Sequence, residues 1–284
     1  MISGKTKLVG LIGHPVEHSI SPAIHNSAFA AHGLDYAYLP LPVEPANLAA
    51  AIAGIKALSF AGANVTIPFK VDVMPYLDEI DSTARFIGAV NTIVIKNGKS
   101  IGYNTDAEGF IKSLQQKAIV IKNRNAVLLG AGGAARAVVC GLIGYGVSQI
   151  TVLARNRDKA EQFAQSFENP TIFGGAWDND TAKKAMRSCH ILINCTPLGM
   201  HPMIDNAPPL DWDNVASNAA VCDLIYNPTT TKFLATAAQS GYRTLNGEGM
   251  LVEQAALAFK LWTGQEAPRN VMYETFITTF SRTS

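Results

Sequence analysis

The sequence predicts an α/β protein in which a Rossmann-like nucleotide-binding domain is inserted into a discontinuous α/β domain with a mostly parallel sheet. A glycine-rich turn lies near the middle of the 284-residue chain, between a strand pattern and a helix pattern. Strand and helix patterns also alternate on both sides of it. The chain is long enough for two domains, and we expect one of residues 1–105 with 247–284 and another of residues 106–246.

The first half alternates strand and helix patterns up to a hairpin. Ser21 as N-cap, Pro22 in the first turn and Gly33 past the last turn predict the first helix. Pro68 predicts another helix start, and Asn97-Gly98 predicts a tight hairpin turn. The predicted strands are 7–13, 36–43, 60–67, 90–95 and 99–103.

The second half repeats the alternation around the glycine-rich turn. The predicted strands are 126–129, 149–153, 190–195, 220–225 and 242–245. A helix is predicted over 250–262, closed by Gly264, and another begins near Pro268. We expect these last helices to return to the first domain.

Composition excludes several partner classes. With 16% charged residues and a net charge of +1, the chain lacks the field that attracts nucleic acid or a membrane surface, so we expect a small-molecule partner. No apolar stretch approaches ~20 residues and residues 1–5 lack a signal-like apolar core, which favours the cytoplasm. The histidines show no metal-ligand spacing, so we expect no metal. Four cysteines without CxxC spacing are expected to be reduced core residues: Cys140, Cys189, Cys195 and Cys222.

The central turn has the pattern of a dinucleotide-binding loop. Its glycines permit a tight turn and a close approach of backbone to phosphate, and Ala135 stands where a third glycine is common. A turn that merely packs a helix on a strand is the alternative. The loop residues are Gly130, Ala131, Gly132, Gly133, Ala134 and Ala135.

The end of the next predicted strand favours NADP over NAD. Arg155, Asn156 and Arg157 follow that strand, and no acid occurs before Asp158. Two guanidiniums could bind a phosphate through paired donors, whereas NAD-binding folds place an acid on the ribose. A solvated arginine pair is the alternative.

Candidate acid–base residues follow a polar strand face. Asn64 and Thr66 alternate with apolar neighbours, and Lys70 comes about one turn later, near the carboxyl end where open α/β sheets bind ligands. Asp106 opens a predicted helix after Thr105, which could cap it, and could pair with Lys70. A turn-capping threonine, a solvated lysine and a simple first-turn acid are the alternatives.

Hydroxyl and amide side chains mark two further candidates. Ser19 and Ser21 share one side of an extended segment before a helix, where hydroxyls and amides can hold a carboxylate. Ser21 alone could equally be an N-cap. Gln254 interrupts a predicted inward stripe of Leu251, Ala258 and Leu261, and either is satisfied in the core or faces a ligand.

These residues lie in motifs that resemble the shikimate dehydrogenase family from end to end. Several separate segments carry the resemblance, in the family's order. They are Gly13 to Pro22 with His25-Asn26 after it, Asn64 to Lys70, Gly88 to Thr92, Gly102 to Asp106, Asn194 to Met200, Asp223 to Pro228 and Gly249 to Ala255.

The resemblance implies reversible NADPH-dependent reduction of 3-dehydroshikimate to shikimate, with residues 106–246 binding NADP and the rest binding substrate. It implies that Lys70 and Asp106 are the catalytic pair. The implied carboxylate ligands are Ser19, Ser21 and Tyr226, and the implied ring-hydroxyl contacts are Asn64, Thr66, Asn91 and Gln254. The implied cofactor contacts, besides the glycine loop, are Arg155, Asn156, Thr196, Gly247 and Met250.

Two departures and two alternatives stand beside this hypothesis. Ala154 replaces a polar neighbour of Arg155, and Glu248 introduces a charge where the family commonly has leucine. A quinate or aminoshikimate dehydrogenase paralogue would keep the fold, although Ser19 and Ser21 argue against quinate, whose enzymes often have Ser-x-Thr there. A non-catalytic NADP-binding sensor would need neither Lys70 nor Asp106. The resemblance leaves monomer and homodimer both open.

Overall fold

The computed structural model describes residues 2–281. The chain forms two compact units. The first contains the residues up to Gly109 and those from Val252 onward, and the second is Phe110–Leu251. The boundaries therefore lie inside two helices, whereas the sequence-based boundaries were drawn four and five residues earlier, at 105/106 and 246/247.

The first unit is built on a six-stranded mixed sheet in the order β2-β1-β3-β5-β6-β4. Pairs β1–β2, β1–β3 and β4–β6 are parallel, and pairs β3–β5 and β5–β6 are antiparallel. Its elements are β1 (Lys7–Gly13), α1 (Ser21–Ala31), β2 (Tyr36–Pro42), α2 (Leu48–Ala57), β3 (Gly62–Val65), β4 (Glu79–Ile80), α3 (Ser82–Ile87), β5 (Thr92–Lys96) and β6 (Lys99–Tyr103), with short 3-10 helices at Pro45–Asn47 and Met74–Tyr76.

The terminal helices complete this unit. They are α9 (Glu248–Thr263), whose first four residues belong to the second unit, and α10 (Arg269–Ser281). Helix α10 packs on α1. In α9, the Trp262 indole donates to the Ile93 carbonyl of β5 at 2.9 Å, and the Trp262 carbonyl accepts from the Tyr36 hydroxyl at 3.2 Å. The buried Glu253 carboxylate and Arg269, 3.0 Å apart, join α9 to α10.

The second unit has the strand order of a doubly wound nucleotide-binding fold. All six strands are parallel, in the order β12-β11-β10-β7-β8-β9, which is the 3-2-1-4-5-6 Rossmann order read from the other edge. The order reverses between β7 and β10. The elements are α4 (Asp106–Gln116, which starts in the first unit), β7 (Asn125–Leu129), α5 (Gly133–Gly144), β8 (Gln149–Ala154), α6 (Arg157–Gln165), β9 (Ile172–Ala176), α7 (Asp180–Arg187), β10 (Ile191–Asn194), a 3-10 helix at Trp212–Asn214, β11 (Ala220–Asp223), α8 (Lys232–Gln239) and β12 (Arg243–Leu245).

Several element predictions hold. The hairpin between β5 and β6 turns through Asn97 and Gly98, both at positive φ (53° and 74°), as a type I′ turn requires. The cysteines are free, and three are buried, whereas Cys195 is only half-buried. No helix in residues 2–281 is long and apolar enough to cross a membrane.

Other element predictions are wrong. Ile20, not Ser21, is the N-cap of α1, and its side chain makes no capping bond. No α-helix follows Pro68, because the Lys70 carbonyl accepts from the Val90 amide at 2.7 Å and is tied to another segment. Strand β9 was missed because Gly174 and Gly175 hide its pattern. A Cβ at Gly174 would overlap the Ala160 carbonyl of α6, so close helix packing explains that glycine.

The predicted inward stripe of α9 is also wrong. Leu261 is 37% exposed, and Leu251 and Gln254 are half-buried. The buried face runs instead through Val252, Ala255, Ala256, Ala258, Phe259 and Trp262. Gln254 therefore flanks the buried face rather than interrupting it.

Candidate functional site

A lysine–carboxylate pair lies at the centre of the polar site in the first unit. Lys70 Nζ donates to Asp106 Oδ2 at 2.6 Å, and the side chains are 25% and 8% exposed. Lys70 is held in the turn after β3 by the Val90 amide. Asp106 is the first residue of α4, where the helix dipole favours a carboxylate. The pair is sheltered, yet its ammonium remains reachable.

Asn91 fixes the second oxygen of Asp106. Its amide nitrogen donates to Asp106 Oδ1 at 2.8 Å and to Thr105 Oγ1 at 2.9 Å, and its oxygen accepts from the Thr105 amide at 2.8 Å. The Thr105 hydroxyl thus pairs with Asn91 rather than capping α4, and Asn104 Oδ1 accepts from the Asp106 amide. Asn91 is 2% exposed, so its amide orients Asp106.

Asn64 is oriented just as firmly. Its amide nitrogen donates to the Asn91 carbonyl at 3.2 Å and to Thr92 Oγ1 at 3.0 Å. Its oxygen accepts from the Tyr38 hydroxyl at 2.8 Å. Because both amide hydrogens are used, the Asn64 oxygen can offer a ligand only its remaining lone pair.

These bonds form one chain of donors that ends on Asp106. Thr92 Oγ1 also donates to Asn91 Oδ1 at 3.0 Å. Donors aligned head to tail in a dry interior polarise one another. The order is Tyr38, Asn64, Thr92, Asn91 and Asp106.

Tyr38 and His25 also belong to this site, although no sequence pattern predicted a role for them. Burial raises the pKa of Tyr38 and lowers the pKa of His25 to about 3, so both are neutral at pH 7. Their rings stack with centroids 4.6 Å apart, and neither His25 nitrogen has a partner among the described residues. The only sequence signal for them is a polar ring at a position where the strand or helix pattern predicts a buried side chain.

Two of the remaining candidates in the first unit are half-buried hydroxyls. Ser19 Oγ accepts from the Ser21 amide at 3.3 Å. Thr66 follows β3, and its methyl group leaves no room for a Cβ at Gly13. Ile67, one of the apolar neighbours that alternate with Asn64 and Thr66, was expected on the apolar face of the strand, but it is 67% exposed because β3 ends at Val65.

Gln254 lies close to the helix that carries Asp106. A Cβ on Gly109 would lie 2.8 Å from the Gln254 amide nitrogen. Gly109 is three residues after Asp106 in α4, so the helices touch within one turn of the carboxylate.

The glycine loop lies at the switch point of the second sheet, after β7. Gly130 has φ +105°, and a Cβ there would lie 2.9 Å from Thr196 Cγ2. Gly132 is the N-cap of α5 and Gly133 its first residue, and a Cβ on either would meet nothing within 4 Å. Ala131 is half-buried, Ala134 is exposed and Ala135 is buried. An exposed backbone beside a helix N-terminus fits a pyrophosphate.

The residues after β8 fit an additional phosphate, with one change to the prediction. Arg157 is bound to Glu161 at 2.6 Å within α6. Of the two arginines expected to bind the phosphate, this leaves Arg155. Arg155 is exposed and has no ion pair within residues 2–281. Asn156 is exposed and caps α6, its side chain accepting from the Lys159 amide at 2.9 Å.

The other cofactor candidates flank the ends of β10 and β12. Thr196 donates through its hydroxyl to Asn194 Oδ1 at 2.7 Å. A Cβ at Gly247 would overlap the Leu224 carbonyl oxygen, so only glycine fits there. Met250 is half-buried. Burial raises the pKa of the half-buried Glu248, and nearby Lys117 opposes that change.

Tyr226 follows β11 in the second unit. It is half-buried, and burial raises the pKa of its phenol. Hydrogen bonds and packing connect the candidates of the first unit, whereas Tyr226 and the cofactor candidates belong to the second. Within residues 2–281, no group of three or more His, Cys, Asp or Glu side chains could hold a metal.

One unit carries a loop suited to a dinucleotide, and the other carries an acid–base pair. This combination is typical of an α/β oxidoreductase that uses a dinucleotide cofactor. Three family models match successive parts of the chain. They are the shikimate dehydrogenase substrate binding domain (residues 11–93), shikimate/quinate 5-dehydrogenase (112–208) and the shikimate 5′-dehydrogenase C-terminal domain (247–275). The chain belongs to the shikimate dehydrogenase family.

Similar proteins cover nearly the whole chain. A shikimate dehydrogenase (NADP⁺) from Desulforamulus reducens is 46% identical, over 95% of this chain and 94% of the relative. One from Methanococcus aeolicus is 44% identical, over 98% and 99%. A crystal structure of a shikimate dehydrogenase in complex with NADP⁺ has a TM-score of 0.91 at 45% identity, covering 98% of this chain and 97% of that one. A quinate dehydrogenase from Corynebacterium glutamicum in complex with NAD has a TM-score of 0.87 at 30% identity, covering 96% and 99%.

Proposed function

We propose that the protein catalyses the reversible, NADPH-dependent reduction of 3-dehydroshikimate to shikimate. The observation that carries the proposal is the Lys70–Asp106 pair, 2.6 Å apart and locked by Asn91. The names of the two relatives at 46% and 44% identity support the substrate and the cofactor. A non-catalytic sensor would have no need for this sheltered acid–base pair.

Lys70 stabilises the charge that develops during reduction. When bound, NADPH supplies the hydride that forms the new C–H bond at the ring carbonyl carbon. The carbonyl electron pair moves to oxygen, where an adjacent ammonium stabilises the alkoxide and can protonate it. Asp106 accepts from Lys70 and Asn91 on its two oxygens, which keeps the ammonium oriented.

Substrate recognition follows from which polar atoms remain available. The Thr66 hydroxyl and the Asn64 oxygen can meet ring hydroxyls, Asn64 only as an acceptor. Ser19 and Ser21 can donate to the carboxylate, joined by the Tyr226 hydroxyl. Asn91 and Gln254 complete the proposed ring contacts, Asn91 mainly by holding Asp106.

Cofactor recognition divides between the backbone and one guanidinium. The loop from Gly130 to Ala135 and the first amides of α5 suit the pyrophosphate. Arg155 suits the 2′-phosphate of NADP, with Asn156 beside it. Thr196, Gly247 and Met250 line the remaining proposed contacts.

Initial rates with a substrate and cofactor panel test this function. Purified protein is assayed with shikimate and quinate, each with NADP⁺ and NAD⁺, and nucleotide reduction is followed at 340 nm. We expect the highest kcat/KM for shikimate with NADP⁺. A higher kcat/KM for quinate would favour the paralogue, and nucleotide binding without turnover of either substrate would favour the sensor.

Monomer and homodimer are both open, and a cytoplasmic location remains a prediction. Light scattering on the purified protein measures the first, with a mass near twice the 30.3 kDa chain expected for a dimer. Fractionation of the source cells measures the second.

A further inference from the structure

A buried carboxyl in the second unit has no part in the proposed chemistry. Asp223, the last residue of β11, is 1% exposed. Its Oδ1 accepts from Asn194 Nδ2 at 3.1 Å and from the Ile225 amide at 3.0 Å, and its Oδ2 accepts from the Thr231 hydroxyl at 2.7 Å. No Lys, Arg or His forms an ion pair with it in the described part of the chain. A buried acid without a cation normally destabilises a fold, so its presence calls for a role.

The bonds of Asp223 connect two loops. Asn194, at the end of β10, donates to Asp223 and to the Leu198 carbonyl at 3.3 Å, and its oxygen accepts from the Thr196 amide at 3.0 Å. Thr231 is the N-cap of α8 and closes the loop that contains Tyr226. Asp223 thus holds the loop after β10 to the loop after β11.

The loop after β10 rests on the glycine loop. A Cβ on Gly130 would lie only 2.9 Å from Thr196 Cγ2. The Thr196 side chain therefore packs directly on the backbone of the phosphate-binding turn. An unbroken path of contacts runs from Asp223 through Asn194 and Thr196 to Gly130.

We propose that Asp223, as the carboxylate, is a positioning residue that holds Thr196 against the glycine loop and thereby sets the affinity for the pyridine nucleotide. The inference rests on the proposed cofactor role of Thr196. It adds a residue that contacts no ligand and acts through Asn194.

The three donors explain why the residue is an acid rather than an amide. A carboxylate only accepts hydrogen bonds, and all three of its partners donate to it. In Asp223→Asn the new NH₂ group would face the Thr231 hydroxyl. The hydroxyl hydrogen would have to turn away from that NH₂ group, and the hydroxyl oxygen, which already accepts from the Leu234 amide at 3.3 Å, would have to accept a second bond. The bonds from Asn194 and Ile225 would lose their charge assistance.

The surroundings make the charge of Asp223 sensitive to pH. Burial raises its pKa to about 6, and the bonds from Thr231, Ile225 and Asn194 lower it only in part. The titratable groups that face it are Cys195 and Cys222, whose thiol pKa values are raised by burial and by Asp223. The positive charge of Arg243 of β12 opposes the rise in the pKa of Cys222. Tyr226 lies in the loop that follows Asp223. The raised pKa values keep the Cys195 and Cys222 thiols and the Tyr226 phenol uncharged near pH 6.

The test is nucleotide binding without substrate. Calorimetry measures the Kd of NADP⁺ and NAD⁺ for the wild type, Asp223→Asn and the exposed charge control Asp213→Asn, at pH 5.0, 6.0 and 7.5. NAD⁺ is included because the 2′-phosphate of NADP⁺ titrates near pH 6 itself. At pH 7.5 we expect Asp223→Asn to bind both nucleotides about tenfold more weakly, which corresponds to about 1.4 kcal/mol, and Asp213→Asn to match the wild type.

The pH series separates positioning from simple charge. As the pH falls to 5.0, wild-type affinity for NAD⁺ should approach that of Asp223→Asn, because Asp223 becomes protonated. If the variant does not fold, the wild-type loss of NAD⁺ affinity below pH 6 still tests the proposal. Equal affinity at pH 7.5 would overturn it, and so would tighter binding, which removal of a repelling charge predicts. A wild type that binds neither nucleotide would instead overturn the proposed function, and this inference with it.

Discussion

Replacement of Asp223 by Asn should change the pH dependence of stability in a calculable way. The pKa of Asp223 is about 6 in the folded protein, against an ordinary value of 3.8. Between these values the folded state keeps a proton that the unfolded state has lost. The stability linked to this group is therefore fully present below about pH 3.8 and is lost as the pH rises through about 6.

The magnitude follows from the separation of the two pKa values, which corresponds to about 3 kcal/mol. The difference in unfolding free energy, Asp223→Asn minus wild type, should therefore become about 2.5 kcal/mol more positive between pH 4 and pH 7.5, because the unfolded-state carboxyl is already partly ionised at pH 4. A constant offset from altered hydrogen bonds does not affect this change, because it is the same at every pH.

Urea unfolding at pH 4, 5, 6, 7 and 7.5 measures the difference directly. All other titrating groups are common to both proteins, so their contributions cancel. A difference that stays constant with pH would mean that Asp223 titrates alike in the folded and unfolded states, which is the opposite of what its burial predicts. A difference that becomes more negative with rising pH would mean that ionisation of Asp223 stabilises the folded protein instead of destabilising it.

Two further substitutions test the two units separately. Arg155→Ala should weaken binding of NADP⁺ by about 1.5 to 3 kcal/mol and leave binding of NAD⁺ nearly unchanged, as measured by calorimetry. Arg157→Ala is the control, because the Arg157 guanidinium is bound to Glu161. Equal losses for both nucleotides would contradict the assignment of Arg155 to the 2′-phosphate. Tyr38→Phe leaves the Asn64 oxygen without its donor and should lower stability by about 1 to 3 kcal/mol. It should also raise KM for shikimate severalfold with little change in kcat, and a loss confined to kcat in steady-state assays would count against this orienting role.

Local patterns were sufficient for much of the fold. Alternation and turn residues predicted the strand–helix order, and Asn97-Gly98 predicted a turn that requires two positive φ angles. Strand β9 was beyond this reasoning because Gly174 serves the packing of α6, a tertiary requirement that a local pattern does not contain. The short β4, of two residues, leaves no periodic pattern.

The site divides in the same way. Motifs pointed to Lys70 and Asp106, whose contact joins residues 36 positions apart. Tyr38 and Asp223 could not be predicted, because their importance comes from partners such as Asn64 and Asn194 that lie 26 and 29 positions away. Burial, which raises the pKa of both, depends on the finished fold.

The role of Lys70 in stabilising the alkoxide is tested most directly by the kinetics of Lys70→Ala with shikimate and NADP⁺, beside a binding titration of shikimate. We expect kcat to fall by roughly 10²-fold or more, while the Kd for shikimate changes far less, because the lost ammonium acts mainly on the developing alkoxide. A folded Lys70→Ala protein with near wild-type kcat would remove Lys70 from the mechanism.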